Sequence, residues 1–202
     1  MTSASLVAYE MYVKLGYRPV ASFDRGYKRL RKSAQPRNTF KLRKFKTSDS
    51  ARLDNLFALQ TQGKLGFIHR QDGFLNMMIK TQQFKPGGIT VVERRERAVG
   101  YVRVDSEADF VSVTELVATD GVARNGILDR LENRPGAKWA FCYGLCDPQM
   151  SQLYRDRGYV LHKPGFGRVM AASVDSSLTS DEVSQLYGVD EGQFVLYPSD
   201  AF

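Results

Sequence analysis

The sequence predicts an α/β (α+β) protein, with a mixed, mostly antiparallel sheet flanked by helices. Some segments alternate apolar and polar residues, which is typical of strands, while others place apolar residues at helical spacing behind capping residues. From about residue 38 the predicted order is strand, two helices, three consecutive strands, helix, strand, helix and a returning strand or hairpin. Three consecutive strands joined by short turns form an antiparallel meander, so the order predicts the sheet type.

Composition narrows the class of protein. With 43% hydrophobic and 25% charged residues, the 202-residue chain is typical of a folded domain and not of a disordered segment. No apolar run reaches the roughly 20 residues that cross a bilayer, and Glu10 interrupts the N-terminal apolar stretch. We therefore expect a cytoplasmic protein with no membrane partner. Two cysteines, Cys142 and Cys146, and two distant histidines predict no metal site.

The first 24 residues predict a helix and a strand. Apolar residues such as Leu6, Tyr12 and Leu15 recur through 1–16, and Gly16 suits the turn that ends a helix. Residues 17–23 then favour a strand. With no neighbour in its own segment this strand would be an exposed edge, which folded proteins pair or cover. It either ends a domain of a longer chain, which we favour here, or packs on the rest of this chain or on a partner.

The positive charge is concentrated in one segment. Of the 29 basic residues, ten lie between Arg25 and Lys46, where no acidic residue occurs. The remaining 19 face 22 acidic residues, so the net charge of +7 belongs to this segment. Residues 25–37 are interpreted as a solvated linker. Two alternatives stay open: a nucleic-acid contact with Tyr27 and Phe40 as stacking partners, or a surface that attracts an acidic ligand.

Most of the remaining segments alternate between strand and helix patterns. A strand is predicted at 40–45, a helix after Asp49 with Leu53, Leu56, Phe57 and Leu59 on its core face, and a second helix at 72–82. The meander follows at 89–93, 98–104 and 109–117, then a helix through Ile127 and Leu131, and a strand at 139–143. The last segments predict a returning strand within 162–174, a helix at 181–187 and an extended piece at 193–196.

Residues 147–159 carry the most specific pattern. Asp147 is a good N-cap, Pro148 suits the first helical position and Gly158 suits the turn that ends the helix. Helix, Leu-Tyr, basic turn, glycine, aromatic and strand together resemble the last helix and following strand of the GCN5-related N-acetyltransferases, the GNAT superfamily. The resemblance implies that Tyr154 is a general acid that protonates the departing coenzyme A thiolate.

The same pattern occurs twice. Residues 11–17 align with 153–159, so that Tyr12 corresponds to Tyr154 at an offset of 142 residues. An offset of this size equals one compact domain. We therefore predict that 1–24 is the end of a preceding GNAT-like domain, that 25–37 is a basic linker, that 38–175 is a GNAT-like domain, and that 176–202 is a tail with a short helix.

The resemblance implies transfer of an acetyl group from acetyl-CoA to an amine, on a small molecule or a protein. Family members bind the pyrophosphate with the pattern Arg/Gln-x-x-Gly-x-Gly/Ala, for which the best match is 123–128, with Arg124, Asn125 and Gly126 as cofactor contacts. Ala123 and Leu128 depart from that pattern, and a leucine would crowd the phosphates. A helix start capped by Asn125 also explains Gly126, and we favour that interpretation here.

Four further residues take their roles from the same resemblance. Glu115 stands where several members place a general base, and a strand N–H near Leu116 or Val117 would hold the oxyanion. Asp147 stands where the family often has an asparagine that touches the cofactor arm, although N-capping explains it as well.

Two other functions remain open at this stage. The domain could be a degenerate, non-catalytic copy that completes a substrate cleft or a dimer with an active domain, which the departures at Ala123 and Leu128 favour. The chain could also be a nucleic-acid-binding module acting through residues 25–46. The expected partners are therefore an amine substrate, a preceding GNAT domain or a second copy of the chain, with nucleic acid less favoured.

Overall fold

The computed structural model describes residues 2–5, 8–22, 24–31, 40–107, 109–144, 147–162, 167–173, 178–189 and 191–197. By its internal contacts the chain forms two compact units. Unit 1 consists of Met1–Lys28, Gly63–Ile68 and Cys142–Phe202, and unit 2 of Arg29–Gln62 and His69–Phe141. Each unit is described by itself below.

The described segments contain ten strands and six α-helices. The strands are β1 (Thr2–Ser5), β2 (Arg18–Ser22), β3 (Asp24–Arg29), β4 (Lys41–Lys44), β5 (Ile89–Arg94), β6 (Arg97–Ser106), β7 (Phe110–Ala118), β8 (Trp139–Gly144), β9 (Val160–His162) and β10 (Gly167–Ala171). The helices are α1 (Tyr9–Lys14), α2 (Ser50–Gln60), α3 (Phe74–Lys80), α4 (Gly121–Glu132), α5 (Pro148–Asp156) and α6 (Ser180–Leu186).

Unit 2 is built on the predicted meander. Its strands follow the order β4-β5-β6-β7-β8, and the pairs β4–β5, β5–β6 and β6–β7 are antiparallel. The turn between β5 and β6 places Arg95 and Glu96 at φ 51° and 63°. The tight turn joins two strands of alternating, β-branched residues, so the hairpin and the third strand form as the sequence predicts.

The centre of this sheet is covered on both faces. Successive residues of a strand point to opposite faces, and residues 111–118 of β7 are all buried. Helices α2 and α4 both pack against β6 and β7. The Asp109 carbonyl accepts from the N–H groups of Lys138 and Trp139 (2.6 and 3.1 Å), so β7 and β8 start together and run in the same direction, with α4 as the crossover.

Unit 1 contains two groups of three strands, and of β8 it holds the residues from Cys142 onward. One follows the order β8-β3-β9 and the other β1-β10-β2. In each group the central strand comes from the opposite end of the chain: β3 pairs antiparallel with β9, and β10 pairs antiparallel with β1 and β2. Each helix–strand–strand segment, α1–β2–β3 and α5–β9–β10, thus donates its last strand to the other.

The two helix ends also share their local geometry. The Tyr17 N–H donates to the Tyr12 carbonyl at 3.0 Å, and the Tyr159 N–H donates to the Tyr154 carbonyl at the same distance. The rings of each pair meet edge to face, at centroid distances of 5.3 and 5.1 Å. The repeat seen in the sequence is therefore also a repeat of conformation. Whether it records a preceding domain stays a prediction.

Two predictions about the N-terminal third are wrong, and a third is confirmed. Residues 2–5 form β1, because pairing with β10 outweighs the weak strand propensity of Thr-Ser-Ala-Ser. Among the described residues of the predicted helix, Tyr9–Lys14 alone are helical. Residues 25–29 of the predicted linker lie in β3, paired with β9, while 32–37 lie outside the described residues. The strand predicted at 17–23 forms as β2 and pairs with β10, which is the alternative in which it packs on the rest of this chain.

The other helices deviate in detail. Leu53, Leu56 and Phe57 are buried as predicted, but Leu59 is 59% exposed because it lies outside the face that α2 turns to the sheet. Cys146 and the predicted turn at 164–165 lie outside the described residues. Among the residues that are described, every helix is too short or too polar to cross a bilayer.

Candidate functional site

The C-terminal end of β7 has one edge that does not face β6. The Thr119 N–H donates to the Val99 carbonyl at 2.9 Å, which fixes the alternation of the ladder. By that alternation Val117, opposite Tyr101, directs its N–H and C=O toward β6. Leu116 and Ala118 direct their backbone N–H and C=O groups away from β6. The Val117 N–H is therefore used in the ladder, and the oxyanion role that the resemblance implies near Leu116 or Val117 stays a prediction.

The side chain of Gln60 occupies this other edge. Its Nε2 donates to the Leu116 carbonyl at 3.1 Å, and its Oε1 accepts from the Ala118 N–H at 3.0 Å. The amide of Gln60 thus pairs with β7 as the backbone of an added strand or an amide-bearing ligand would. An acyl-CoA arm that used the same edge would first have to displace Gln60.

Glu115 forms a buried ion pair. Its carboxylate is bonded on both oxygens by Arg70, from Nη1 to Oε1 at 2.7 Å and from Nη2 to Oε2 at 2.8 Å. The Tyr101 hydroxyl donates to Oε1, and Arg70 Nη1 also lies 3.0 Å from that hydroxyl oxygen. The Arg70 and Glu115 side chains are 1% and 0% exposed. A two-point ion pair in this setting holds both groups in one geometry.

Aromatic rings complete the enclosure. The Arg70 guanidinium lies 3.5 Å from the ring centroid of Phe57 and 4.7 Å from that of Phe74. Burial alone would raise the pKa of Glu115, but the charge and hydrogen bonds of Arg70 outweigh it and lower the pKa to about 2. Arg103 and the Tyr101 hydroxyl add to the lowering. At neutral pH this carboxylate stays ionised and is a very weak base.

The predicted phosphate-binding residues lie inside α4. The helix begins at Gly121 behind the N-cap Asp120, so Arg124, Asn125 and Gly126 are its fourth to sixth residues. Gly126 is buried, and the Asn125 side chain donates back to the Gly121 carbonyl at 3.0 Å. Only the N–H groups of the first turn point out of a helix, and that turn lies ahead of these three residues, whose role as cofactor contacts stays a prediction.

The true N-terminus of α4 carries a carboxylate. Asp120 accepts from the Ala123 N–H at 2.7 Å and from Arg94 Nη2 at 3.0 Å. The Ala123 hydrogen bond, helped by Arg94, lowers the pKa of Asp120 below its ordinary value. Asp120 is thus ionised at neutral pH, and it satisfies the helix end that a phosphate would otherwise use.

A basic cleft adjoins this helix end. It has a volume of about 730 Å³ and is lined by Arg94, Arg95, Arg97 and Val99. It lies next to α4, because Arg94 bonds Asp120 and the Val99 carbonyl accepts from Thr119. Its charge suits phosphate groups, whereas Asp120 and Gln60 oppose the seating of an acetyl-CoA molecule at the helix and the strand edge.

The two remaining candidates belong to unit 1. Asp147 caps α5, accepting from the Gln149 N–H at 2.9 Å. Tyr154 is 1% exposed and packs against Tyr159 on the buried side of α5. The structure thus brings Glu115, Leu116, Val117, Arg124, Asn125 and Gly126 into unit 2, and Asp147 and Tyr154 into unit 1.

Sequence reasoning missed Gln60, Arg70 and Arg94. Gln60 and Arg94 each stand at the end of an element, and Arg70 lies in an irregular stretch between α2 and α3. None falls in a motif, since each acts through a partner 26 to 58 residues away. The run of charged residues at 94–97, where β5 meets β6, is the signal in the sequence that could have indicated this site.

Comparison with protein-family models and with curated sequences gives no match. Solved structures with a similar fold include a GCN5-related N-acetyltransferase from Anabaena variabilis (TM-score 0.60, 12% identity), over 83% of this chain and 44% of that one. A probable N-acyltransferase of unknown function from Enterococcus faecalis (0.59, 12%) matches over 83% and 43%. A GCN5-related N-acetyltransferase from Kribbella flavida (0.54, 15%) matches over 83% and 41%.

These likenesses establish the fold. The chain has the fold of the GCN5-related N-acetyltransferases, a mixed and mostly antiparallel sheet flanked by helices, as the Leu-Tyr motif predicted. At 12–15% sequence identity, the similarity supports a conclusion about the fold alone. The chain spans less than half the length of these three structures. Among the described residues no cluster of three or more His, Cys, Asp or Glu could hold a metal ion.

Proposed function

We propose that the GNAT-like part of this chain is a non-catalytic copy that supports an N-acetyltransferase of the type that moves an acetyl group from acetyl-CoA to an amine. The observation that carries the proposal is the state of Glu115. Both carboxylate oxygens are bonded by Arg70, the side chain is fully buried and its pKa is lowered to about 2. A general base must accept a proton near neutral pH from a reachable amine, and Glu115 meets neither condition.

Two further contacts also support a non-catalytic copy. Gln60 occupies the edge of β7 that an amide-bearing cofactor arm would pair with, and Asp120 occupies the N-terminus of α4 that would receive phosphates. The repeated helix end at Tyr12 supports a preceding GNAT-like copy, in which Tyr12 would take the acid role proposed for Tyr154. In this arrangement the copy at 38–175 contributes to a substrate cleft or a dimer.

Titration calorimetry with acetyl-CoA tests the proposal. We expect the wild-type chain to give no saturable heat at millimolar ligand, because the strand edge and the helix end are both occupied. The variant Gln60→Ala removes the amide from the strand edge and tests whether that contact alone blocks binding. Micromolar binding by the wild-type chain, together with acetyl transfer to a polyamine, would contradict a non-catalytic copy.

One observation favours a second candidate, acetyl transfer by this chain itself. The cleft of Arg94, Arg95 and Arg97 lies next to α4 and suits a phosphate-rich ligand. If the chain binds acetyl-CoA there, Arg97→Glu should abolish the binding, while the thermal unfolding midpoint stays close to wild type because the side chain is exposed. Binding that survives Arg97→Glu would exclude this cleft as the site.

A further inference from the structure

One face of the strands β8, β3 and β9 in unit 1 is exposed and aromatic. Arg25 lies opposite His162 and Tyr27 opposite Val160, so these four side chains share one face of the antiparallel pair. Tyr27 is 38% exposed, Val160 is 50% exposed, and Arg25 and His162 are exposed as well. This face is therefore open to a ligand.

The opposite face is closed. Gly26 is buried, and a Cβ built on it would lie 2.4 Å from Leu161 Cδ2 and 2.5 Å from Cys142 Sγ. Cys142 itself is 0% exposed. The sheet thus uses one face for packing, and the aromatic residues of the other face are not needed to fill that core.

The exposed side chains are arranged in contact. The rings of Tyr27 and His162 are stacked, with centroids 5.4 Å apart and planes 11° from parallel. The Arg25 guanidinium lies 5.7 Å from the ring centroid of Tyr143 on β8. The result is a row across three strands that consists of Tyr143, Arg25, His162 and Tyr27. We call this row the aromatic row.

The sequence that contains Arg25 and Tyr27 is strongly basic. Arg25 and Tyr27 are the first and third residues of the segment 25–46, which holds ten basic and no acidic residues. Asp24, at the start of β3, is the one acidic residue in the sequences of the three strands. Flat rings at a sheet surface offer stacking platforms for bases, and neighbouring arginines and lysines attract phosphates. An acidic protein would use the charges but not the stacked rings.

We propose that the aromatic row binds single-stranded nucleic acid, with a base stacked on the Tyr27–His162 pair and a phosphate held by Arg25. This site is independent of the acetyl-CoA question, because it lies in unit 1 and uses none of the residues discussed for acyl transfer. Binding should tolerate many sequences, since stacking and phosphate contacts do not read base edges.

Fluorescence anisotropy with labelled dT12 and rU12 oligonucleotides tests the proposal. We expect the wild-type chain to bind both at low salt, with affinity falling as salt rises. Tyr27→Ala should weaken binding about tenfold, within the range for loss of one stacked base, while Tyr27→Phe should retain it. Arg25→Gln should reduce the salt dependence by about one phosphate contact, and Arg18→Gln, an exposed arginine on β2, should not.

Proton NMR gives a readout on the wild-type chain, and a variant is needed only to assign the signals. The chain has two histidines, His69 and His162, so their ring resonances can be told apart by His162→Gln. Added dT12 should shift the His162 signal and leave His69 unchanged. An unshifted His162, no anisotropy change at the lowest salt, equal affinity for a duplex, or binding of polyglutamate in place of dT12 would each overturn the proposal.

Discussion

At the scale of single residues, the Arg70–Glu115 pair shows how burial changes what a carboxylate can do. Glu115 lies on the strand where the resemblance places a general base, and its exposed equivalent would titrate near its ordinary value of 4.5. Enclosure beside a guanidinium turns it into a structural anion instead. The same residue type at the same position can thus serve catalysis or stability, depending on its partner.

Breaking this pair should be costly. Glu115→Gln leaves the Arg70 charge buried without a carboxylate, so we expect it to lower the free energy of unfolding by about 3–5 kcal/mol. The double variant Arg70→Met/Glu115→Leu removes both charges and should lie much closer to wild type. Urea unfolding at pH 7 measures all three proteins. A loss below about 1 kcal/mol for Glu115→Gln would contradict the buried pair.

The pH dependence follows from the lowered pKa. Because the pKa of Glu115 is depressed on folding, its contribution is fully present above pH 4.5, the ordinary value, and is lost as the pH falls toward about 2. Wild-type stability should therefore fall more steeply than that of Glu115→Gln below pH 4.5. Parallel curves for the two proteins would be inconsistent with this linkage.

Gly26 offers a second test at this scale. A methyl group there meets Leu161 Cδ2 and Cys142 Sγ at 2.4 and 2.5 Å, which is closer than packed atoms approach. We expect Gly26→Ala to destabilise the protein by about 1–3 kcal/mol through overpacking. Gly87→Ala is a matched control, since no atom lies within 4 Å of its added methyl group. Equal unfolding midpoints for both variants would show that β3 is not inserted beside β8 and β9.

At the scale of elements, the segments α1–β2–β3 and α5–β9–β10 exchange their last strands, β3 and β10. Sequence periodicity identifies β2, β7, β8 and the helices α4 and α5 closely, because each carries its own pattern or caps. It failed for β1 and β3, whose sequences Thr-Ser-Ala-Ser and Asp-Arg-Gly-Tyr-Lys-Arg have weak strand character. These two strands form because partners from the far end of the chain provide their hydrogen bonds.

The Gln60 contact belongs to the same scale. It joins the last residue of α2 to the edge of β7 through two hydrogen bonds, 56 and 58 residues apart in sequence. A glutamine at the end of a helix has no distinguishing pattern, so this contact could not have been predicted. Its consequence, that a ligand pairing with this edge must displace Gln60, follows from the direction of the Leu116 carbonyl and the Ala118 N–H.

At the scale of the whole molecule, the exchange makes the N-terminal segment part of unit 1. Deleting residues 1–30 would remove both partners of β10 and the β3 partner of β9. We expect the amides of β9 and β10 to lose protection in hydrogen exchange, while those of β5, β6 and β7 in unit 2 keep it. Adding the 1–30 peptide should restore the protection. Full protection of β10 without the peptide would show that the exchanged pairing is dispensable.

The sequence by itself determined the fold class, the meander, the capped α5 helix and the repeated helix end at Tyr12 and Tyr154, since each follows from periodicity, caps and turn residues within a short segment. The tertiary structure alone decided which strands are exchanged, at which residue α4 begins, and whether Glu115 is a free or a paired anion. The physical reason is the distance along the chain over which each interaction acts. Propensity and capping act between neighbours in the chain, whereas ion pairs, strand pairing and burial depend on residues that only folding brings together.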